Sequence, residues 1–300
     1  MISKIASFFM MLTISFLAVF GVGVPHPSGY DVMTDVAYGD EEGQTLDLII
    51  PEGLGKELSL AVFIHGGAWF GGDKSYETDK TQYMAEKGMI SANVNYRLLS
   101  AERKELTCDT QLQDIDNGVK KIVEICSEKG YSIKRAIIWG KSAGGHLSLM
   151  YAYTYKDKSP VDIGLVYSIC GATDLTDTNY FSKTEFTTEQ VLLFQSALSG
   201  KEVTAENFLA EETQSELKRV SPVYCVTSAS VPTIFNSCGR DPLIPLSNAQ
   251  RLEKALKANG VDYYYDNFAN SNHCGRHGFD FFTYTAFDYH LNKMIDKYVK

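Results

Sequence analysis

The sequence predicts an α/β architecture: a mostly parallel central sheet with helices on both faces and a small insertion late in the chain. Three observations carry that expectation. Short apolar runs alternate with patterns of helical period from about residue 45 onward. Several of those runs are almost continuously apolar, as strands buried on both sides are. Glycine-rich turns follow two of them, at the carboxyl ends where parallel sheets carry their functional residues.

The elements follow in order. Residues 46–50 alternate and read as an outer strand. Residues 59–64 end at paired glycines and suit a central strand. Residues 79–87 look helical and stop at Gly88, and residues 89–95 form the next strand. Leu112, Ile115, Val119, Ile122, Val123 and Cys126 recur at spacings of three and four, which is one apolar face of a helix. Strand 135–139 and helix 143–155 come next, then strands 163–169 and 231–238. A helix over 247–259 stops at Gly260, and strand 263–268 and helix 279–298 close the chain. Residues 176–219 break the rhythm. They are polar, rich in Thr and Glu, with one helical patch over 190–198, and read as a cap or lid over the site.

Composition sets the outer bounds. Of 300 residues, 44% are hydrophobic and 22% charged, so a sizeable core is affordable. The formal charge of −9 excludes the basic footprint that nucleic acid requires. Residues 30–300 read as one domain, with no linker or repeat dividing them. Residues 1–24 stand apart. Lys4 precedes an uncharged, mostly apolar run over residues 5–24, closed by Pro25, His26 and Pro27. A positive start before an apolar stretch is an export signal, and about twenty apolar residues also suffice to span a bilayer. A cleaved signal peptide and an uncleaved anchor both stand, with a buried core helix as the third reading. The expectation is an exported protein, secreted or attached to the outer face of the cytoplasmic membrane. Six cysteines follow. Cys126 lies on the amphipathic helix, and Cys170 and Cys238 end apolar strands, contexts that favour buried thiols over disulfides. No cysteine pair has the close spacing of a zinc site.

The chemistry concentrates in two glycine turns. Gly140-Lys141-Ser142-Ala143-Gly144 lies between a predicted strand and a predicted helix, the context a nucleophile elbow requires. Glycines on either side let the backbone turn sharply and hold the Ser142 hydroxyl clear of the sheet. The helix after it points its positive end at the same spot. His65-Gly66-Gly67-Ala68-Trp69 follows the central strand, and its glycines let backbone N–H groups approach a ligand closely. Gly66 and Gly67, with Ala143, are the candidate oxyanion donors. His65 is expected to brace the loop, and His26, His146 and His290 to have no chemical role.

These runs, with Asn95-Tyr96-Arg97 between them and Gly145-His146 after the elbow, resemble the hormone-sensitive-lipase-like esterases. They are most similar to the small bacterial carbohydrate acetyl- and feruloyl-esterase relatives of that group. Ser221-Pro222, residues 231–235 and the run from Gly239 through Asp241 to Pro245 fit the same pattern, so the resemblance covers about residues 40–300. It implies an α/β-hydrolase fold and a Ser-His-Asp triad, and leaves the substrate open.

In that fold the chain order is nucleophile, acid, histidine. Asp241 follows strand 231–238 on a turn bounded by Pro242 and Pro245, where the family places its acid. Asp174, after the preceding strand, is the rival, at a place where the family's Asp is structural. His273 and His277 compete as base. His273, five residues after Phe268, matches the family's spacing, and His277 sits four residues later in a local His-Gly-Phe wording. The assignment is Ser142, Asp241 and His273. Such a triad needs no metal or organic cofactor.

The expected protein is a serine carboxylic ester hydrolase of short acyl esters, acetyl or feruloyl, on a small-molecule or carbohydrate-linked substrate. A peptidase or an amidase or formamidase is the alternative, since one triad serves both acyl transfers. A non-catalytic binding module is the third reading, and such modules usually lack the serine or the histidine. Trp69, Phe70, Tyr180, Phe181 and Phe186 are candidate pocket residues. Arg97 is either a clamp for an anionic substrate or half of a buried ion pair with Asp114.

Overall fold

The structure is a computed structural model that describes residues 26–275 and 281–300. Residues 1–24 and His277 lie outside them. Among the described residues no helix is long and apolar enough to cross a membrane.

One eight-stranded sheet organises the described residues: β1 (Gly29–Ala37), β2 (Thr45–Glu52), β3 (Glu57–Ile64), β4 (Ile90–Val94), β5 (Ser132–Lys141), β6 (Ile163–Ile169), β7 (Thr233–Cys238) and β8 (Tyr263–Phe268). Their order is β1-β2-β4-β3-β5-β6-β7-β8. β2 runs antiparallel to both β1 and β4, and every later pairing is parallel. The fold class expected from the sequence is therefore present. β1 has no counterpart among the strands expected from the sequence. It is an edge strand whose residues alternate between partly buried and exposed, so it lacks the apolar run that marks its neighbours.

Seven helices connect or flank these strands: α1 (Thr78–Glu86), α2 (Cys108–Glu128), α3 (Ala143–Thr154), α4 (Thr188–Ser199), α5 (Glu211–Arg219), α6 (Leu246–Ala258) and α7 (Phe281–Tyr298). A single helical turn spans Pro222–Cys225. Alternation along the central strands assigns the layers. Leu60, Val62 and Ile64 of β3 and Ala136 and Ile138 of β5 share a core with α2, α3 and α6. Ala61, Phe63, Ile137 and Trp139 point the other way, onto Met84 of α1 and Phe287, Leu291 and Ile295 of α7. Both faces are thus covered, which is why these strands read as continuous apolar runs.

Between β6 and β7 the chain makes α4 and α5, where the sequence signalled one helical patch. α5 has the sequence EETQSELKR, with only Thr213 and Leu217 buried, so it carries almost no apolar stripe. α4 is fixed at its start by a reciprocal capping box between Thr187 and Gln190 and stops at Gly200, whose φ is 71°.

Candidate active site

Ser142 lies where β5 turns into α3, with φ 56° and ψ −121°. That conformation is strained for a residue with a Cβ, and the surroundings enforce it. Its N–H donates to Ile169 O at 2.8 Å, and its carbonyl accepts from His146 N at 3.0 Å. A Cβ on Gly144 would stand 2.1 Å from Ile64 O, and one on Gly140 would stand 2.2 Å from Gly144 O. The two flanking glycines are therefore required by close backbone approach. Among the described residues, six non-glycine residues have positive φ. Five of them, Ala68, Trp69, Ser142, Cys170 and Cys274, sit just after β3, β5, β6 and β8, at the carboxyl edge of the sheet. Backbone strain is gathered around one place.

His273 Nε2 is 2.9 Å from Ser142 Oγ, and His273 Nδ1 is 2.8 Å from Asp241 Oδ2. A carboxylate facing Nδ1 puts the ring proton there and leaves Nε2 as the acceptor for the serine hydroxyl. The other oxygen of Asp241 accepts from Leu243 N at 2.9 Å and Ile244 N at 3.0 Å, so the carboxylate cannot rotate freely. The Asp241 side chain is buried, and that of His273 is 17% exposed.

The rival acid is engaged elsewhere. Asp174 pairs with Arg251 at 2.5 Å and accepts from Thr176 N and its hydroxyl. It clamps α6 to the loop after β6. Arg97 likewise makes the buried pair: Nε and Nη2 contact the two oxygens of Asp114 at 2.9 Å, and Nη1 reaches Glu41 at 2.5 Å.

The glycine loop after β3 is braced from several sides. Gly66 adjoins the serine closely: a Cβ there would meet Ser142 Cβ at 3.2 Å and Lys141 O at 2.7 Å. Gly67 has φ 132°, where a Cβ would stand 2.0 Å from Gly71 O. Ala143 is buried at the first position of α3. His65 donates from Nδ1 to Gly66 O at 2.8 Å and stacks on Tyr96 at 4.3 Å. Tyr96 in turn donates to His65 O at 2.9 Å. Asn95 accepts from Lys74 N and donates to Asp73. Asn95, Tyr96 and Arg97 thus hold the loops around the site.

A cavity of about 760 Å³ opens beside Ser142 and His273. Gly66, Gly67 and Trp69 form one wall, and Leu175 with Phe186, Val191 and Phe194 of the insertion form another. Tyr180 also lines it. Phe70 and Phe181 do not. Phe70 packs on Phe194 at 5.7 Å, and Phe181 on Phe208 at 5.0 Å. Tyr76, Leu243 and Ile244 line the cavity too, and nothing in their local sequence signals it. Among the described residues no cluster of His, Cys, Asp and Glu is arranged to hold a metal.

His146 is more than a bystander on α3. It accepts from Trp69 Nε1 at 3.1 Å and donates from Nε2 to Val220 O at 2.8 Å. It ties the glycine loop to the end of the insertion. Complete burial pushes its pKa from 6.5 down to about 4. The unfolded chain therefore binds a proton that the folded chain refuses between those values. The stabilisation is whole above pH 6.5 and is lost as pH falls to about 4, an effect of about 3 kcal/mol. Urea unfolding across that window should show a steep acid limb. His146→Gln, which offers one acceptor and one donor without titrating, should flatten it. Parallel limbs for the two proteins would refute this account.

A family model matches residues 46–256, from β2 to α6. The chain belongs to the BD-FAE family. Solved structures agree on the fold of this BD-FAE protein. Esterase B from Lactobacillus rhamnosis superposes with a TM-score of 0.70 at 18% identity, covering 98% of this chain and 94% of that one. A truncated carbohydrate esterase from gut microbiota gives 0.70 at 16% identity, covering 90% and 99%. Among curated relatives, a probable isoprenylcysteine alpha-carbonyl methylesterase of Oryza sativa subsp. japonica is 27% identical over 49% of this chain. The kynurenine formamidase of Danio rerio is 27% identical over 55% of it. The matched regions span 34% and 55% of those relatives' own lengths. Family and fold give this BD-FAE member the α/β-hydrolase architecture.

Proposed function

We propose that this protein is a serine carboxylic ester hydrolase of short acyl esters, acetyl or feruloyl in type, acting through an acyl-enzyme. One observation carries the reading. Asp241, His273 and Ser142 form a continuous hydrogen-bonded line, at 2.8 and 2.9 Å, that opens onto a cavity beside a glycine loop.

In this mechanism Asp241 holds the proton on Nδ1 and stabilises the imidazolium that forms. His273 takes the hydroxyl proton as Ser142 Oγ attacks the ester carbonyl. The N–H groups of Gly66, Gly67 and Ala143 receive the oxyanion, a contribution of about 3 kcal/mol per donor in comparable enzymes. His273 then protonates the departing alcohol, and water cleaves the acyl-enzyme by the same route. The apolar wall of Leu175, Phe186, Val191 and Phe194 excludes water from one side of the carbonyl.

Amide cleavage is the second reading, favoured by the likeness to the Danio rerio kynurenine formamidase. The same constellation serves it, because both reactions pass through a tetrahedral oxyanion. Wild type and Ser142→Ala should be compared on 4-nitrophenyl acetate, butyrate and octanoate, methyl ferulate, acetylated xylan, an N-formyl aryl amine and an aminoacyl anilide. The expected result is that acetyl or feruloyl esters give the highest kcat/KM. Faster turnover of either amide than of every ester would replace the esterase reading.

A further inference from the structure

The 3-10 turn Lys74–Glu77 meets the elbow at one edge of the cavity. Tyr76 and Lys141 both line it, and Lys141 Nζ is 2.6 Å from Glu77 Oε1. Three lysines gather at this turn, and they are not equivalent. Lys74 Nζ meets Asp35 at 2.8 Å and Asp47 at 2.7 Å. Lys80 Nζ meets Glu77 at 2.8 Å and Asp79 at 3.6 Å. Lys141 has a single carboxylate, and shares that one with Lys80. The contact is one of charge, because Glu77 Oε1 receives no aligned hydrogen bond. The N–H groups of the Lys141 ammonium therefore have no aligned acceptor among the described residues. The Glu77 side chain is buried, and that of Lys141 is 21% exposed.

The setting of this cation is what gives it a use. Among the described residues that line the cavity, Lys141 is the one lysine or arginine, and there is no aspartate or glutamate. Leu175, Phe186, Val191 and Phe194 give the same cavity an apolar wall. A buried carboxylate set against a lysine is a weak source of stability, since the desolvation of both charges offsets their attraction. Glu77 does something else: it fixes Nζ at the cavity edge and leaves its donors open. An ammonium carries three rotatable donors and no acceptor, so it takes an anion.

We propose that Lys141 is a specificity-determining residue that binds a carboxylate carried by the substrate, so that acidic esters are preferred to neutral ones of the same shape. The proposal rests on the esterase reading above and names a substrate class within it: esters that bear a carboxylate besides the scissile group. The scissile carbonyl sits at Gly66, Gly67 and Ala143, and the carboxylate takes a charge-assisted hydrogen bond from Nζ, at about 2.7–2.9 Å. Two fixed points then orient the ester toward Ser142 Oγ. Partial burial makes such a pair stronger than one in open water. The carboxylate belongs to the alcohol part or to the acyl part, and the test separates the two.

Two matched pairs of substrates are assayed on the full chain. 4-Acetoxybenzoate and methyl 4-acetoxybenzoate differ by a carboxylate on the leaving alcohol. Mono-4-nitrophenyl succinate and its methyl ester differ by one on the acyl group. The readout is the acid-to-neutral ratio of kcat/KM within one protein, so any general loss of activity cancels. Lys141→Met should lower this ratio about tenfold for at least one pair, chiefly through KM. Lys141→Arg, which keeps the charge, should hold it within about threefold of wild type. In wild type the ratio should fall as salt rises from about 0.02 M to about 0.5 M, a measurement that needs no variant to fold. An unchanged ratio in Lys141→Met for both pairs would overturn the proposal. So would a loss in Lys141→Arg as large as in Lys141→Met, which would place the effect in the packing of the elbow. A salt-insensitive ratio for both pairs in wild type would overturn it too. Calorimetric binding of 4-hydroxybenzoate and succinate, each against its methyl ester, makes the same comparison without turnover. Inactivity on all four esters would refute the esterase reading, and calorimetry would then judge Lys141 by itself: no preference for either acid would overturn its assignment.

Discussion

Ser142→Ala should lower kcat on the preferred ester by about ten-thousandfold to a millionfold, with KM little changed. The size follows from what the hydroxyl does in the proposed mechanism. It supplies the atom that bonds to the acyl carbon. Residual turnover would come from the oxyanion donors acting on water. The fold should survive, because the Ser142 contacts that fix the elbow are made by its backbone. Alanine tolerates φ 56° no worse than serine does. Thermal unfolding of the variant is therefore expected within a few degrees of wild type. His273→Ala should match the kcat loss within about tenfold, because residues acting as one unit are not additive. His277→Ala should have a mild effect. Equal losses from the two histidine variants would require a different base.

Much of this arrangement was legible in the sequence, for identifiable reasons. β3, β5 and β6 are buried on both faces, and that burial is written as unbroken apolar runs. The elbow was legible because its geometry excludes side chains at Gly140 and Gly144, so the glycines appear at fixed offsets from Ser142. The places where reading failed share the opposite property. β1 earns its pairing from backbone hydrogen bonds at an edge, and such bonds leave no trace in residue type. α5 is short and almost wholly polar. Tyr76, Leu243 and Ile244 reach the cavity only because distant loops converge there. Cys170 and Cys238 likewise meet only in the folded chain: their spacing of 68 residues carries no local pattern, and the contact is a property of the order of strands in the sheet. His146 was assigned no chemical role from sequence, and its part in tying Trp69 to Val220 needed both partners in view.

Asp241→Asn should cost about ten-thousandfold in kcat, while Asp174→Asn should leave kcat within a few-fold and lower thermal stability instead. The first effect rests on hydrogen-bond polarity. One oxygen of Asp241 accepts from Leu243 N and Ile244 N, so in the asparagine variant the amide oxygen is required at that place. The amide nitrogen then faces His273 Nδ1, where the wild type has a carboxylate oxygen at 2.8 Å. Two donors cannot meet there. The ring must shift its proton to Nε2, and Nε2 would then offer Ser142 Oγ a donor where catalysis needs an acceptor. The variant is almost isosteric, so the loss would come from the wrong tautomer and not from a cavity. Asp174 faces Arg251, Thr176 and the end of α6, with no contact to His273, so its neutralisation loosens the brace between α6 and the loop after β6. Comparing kcat and melting temperature for the two variants separates the roles. A large kcat loss in Asp174→Asn, with Asp241→Asn unaffected, would exchange the acid assignment between them.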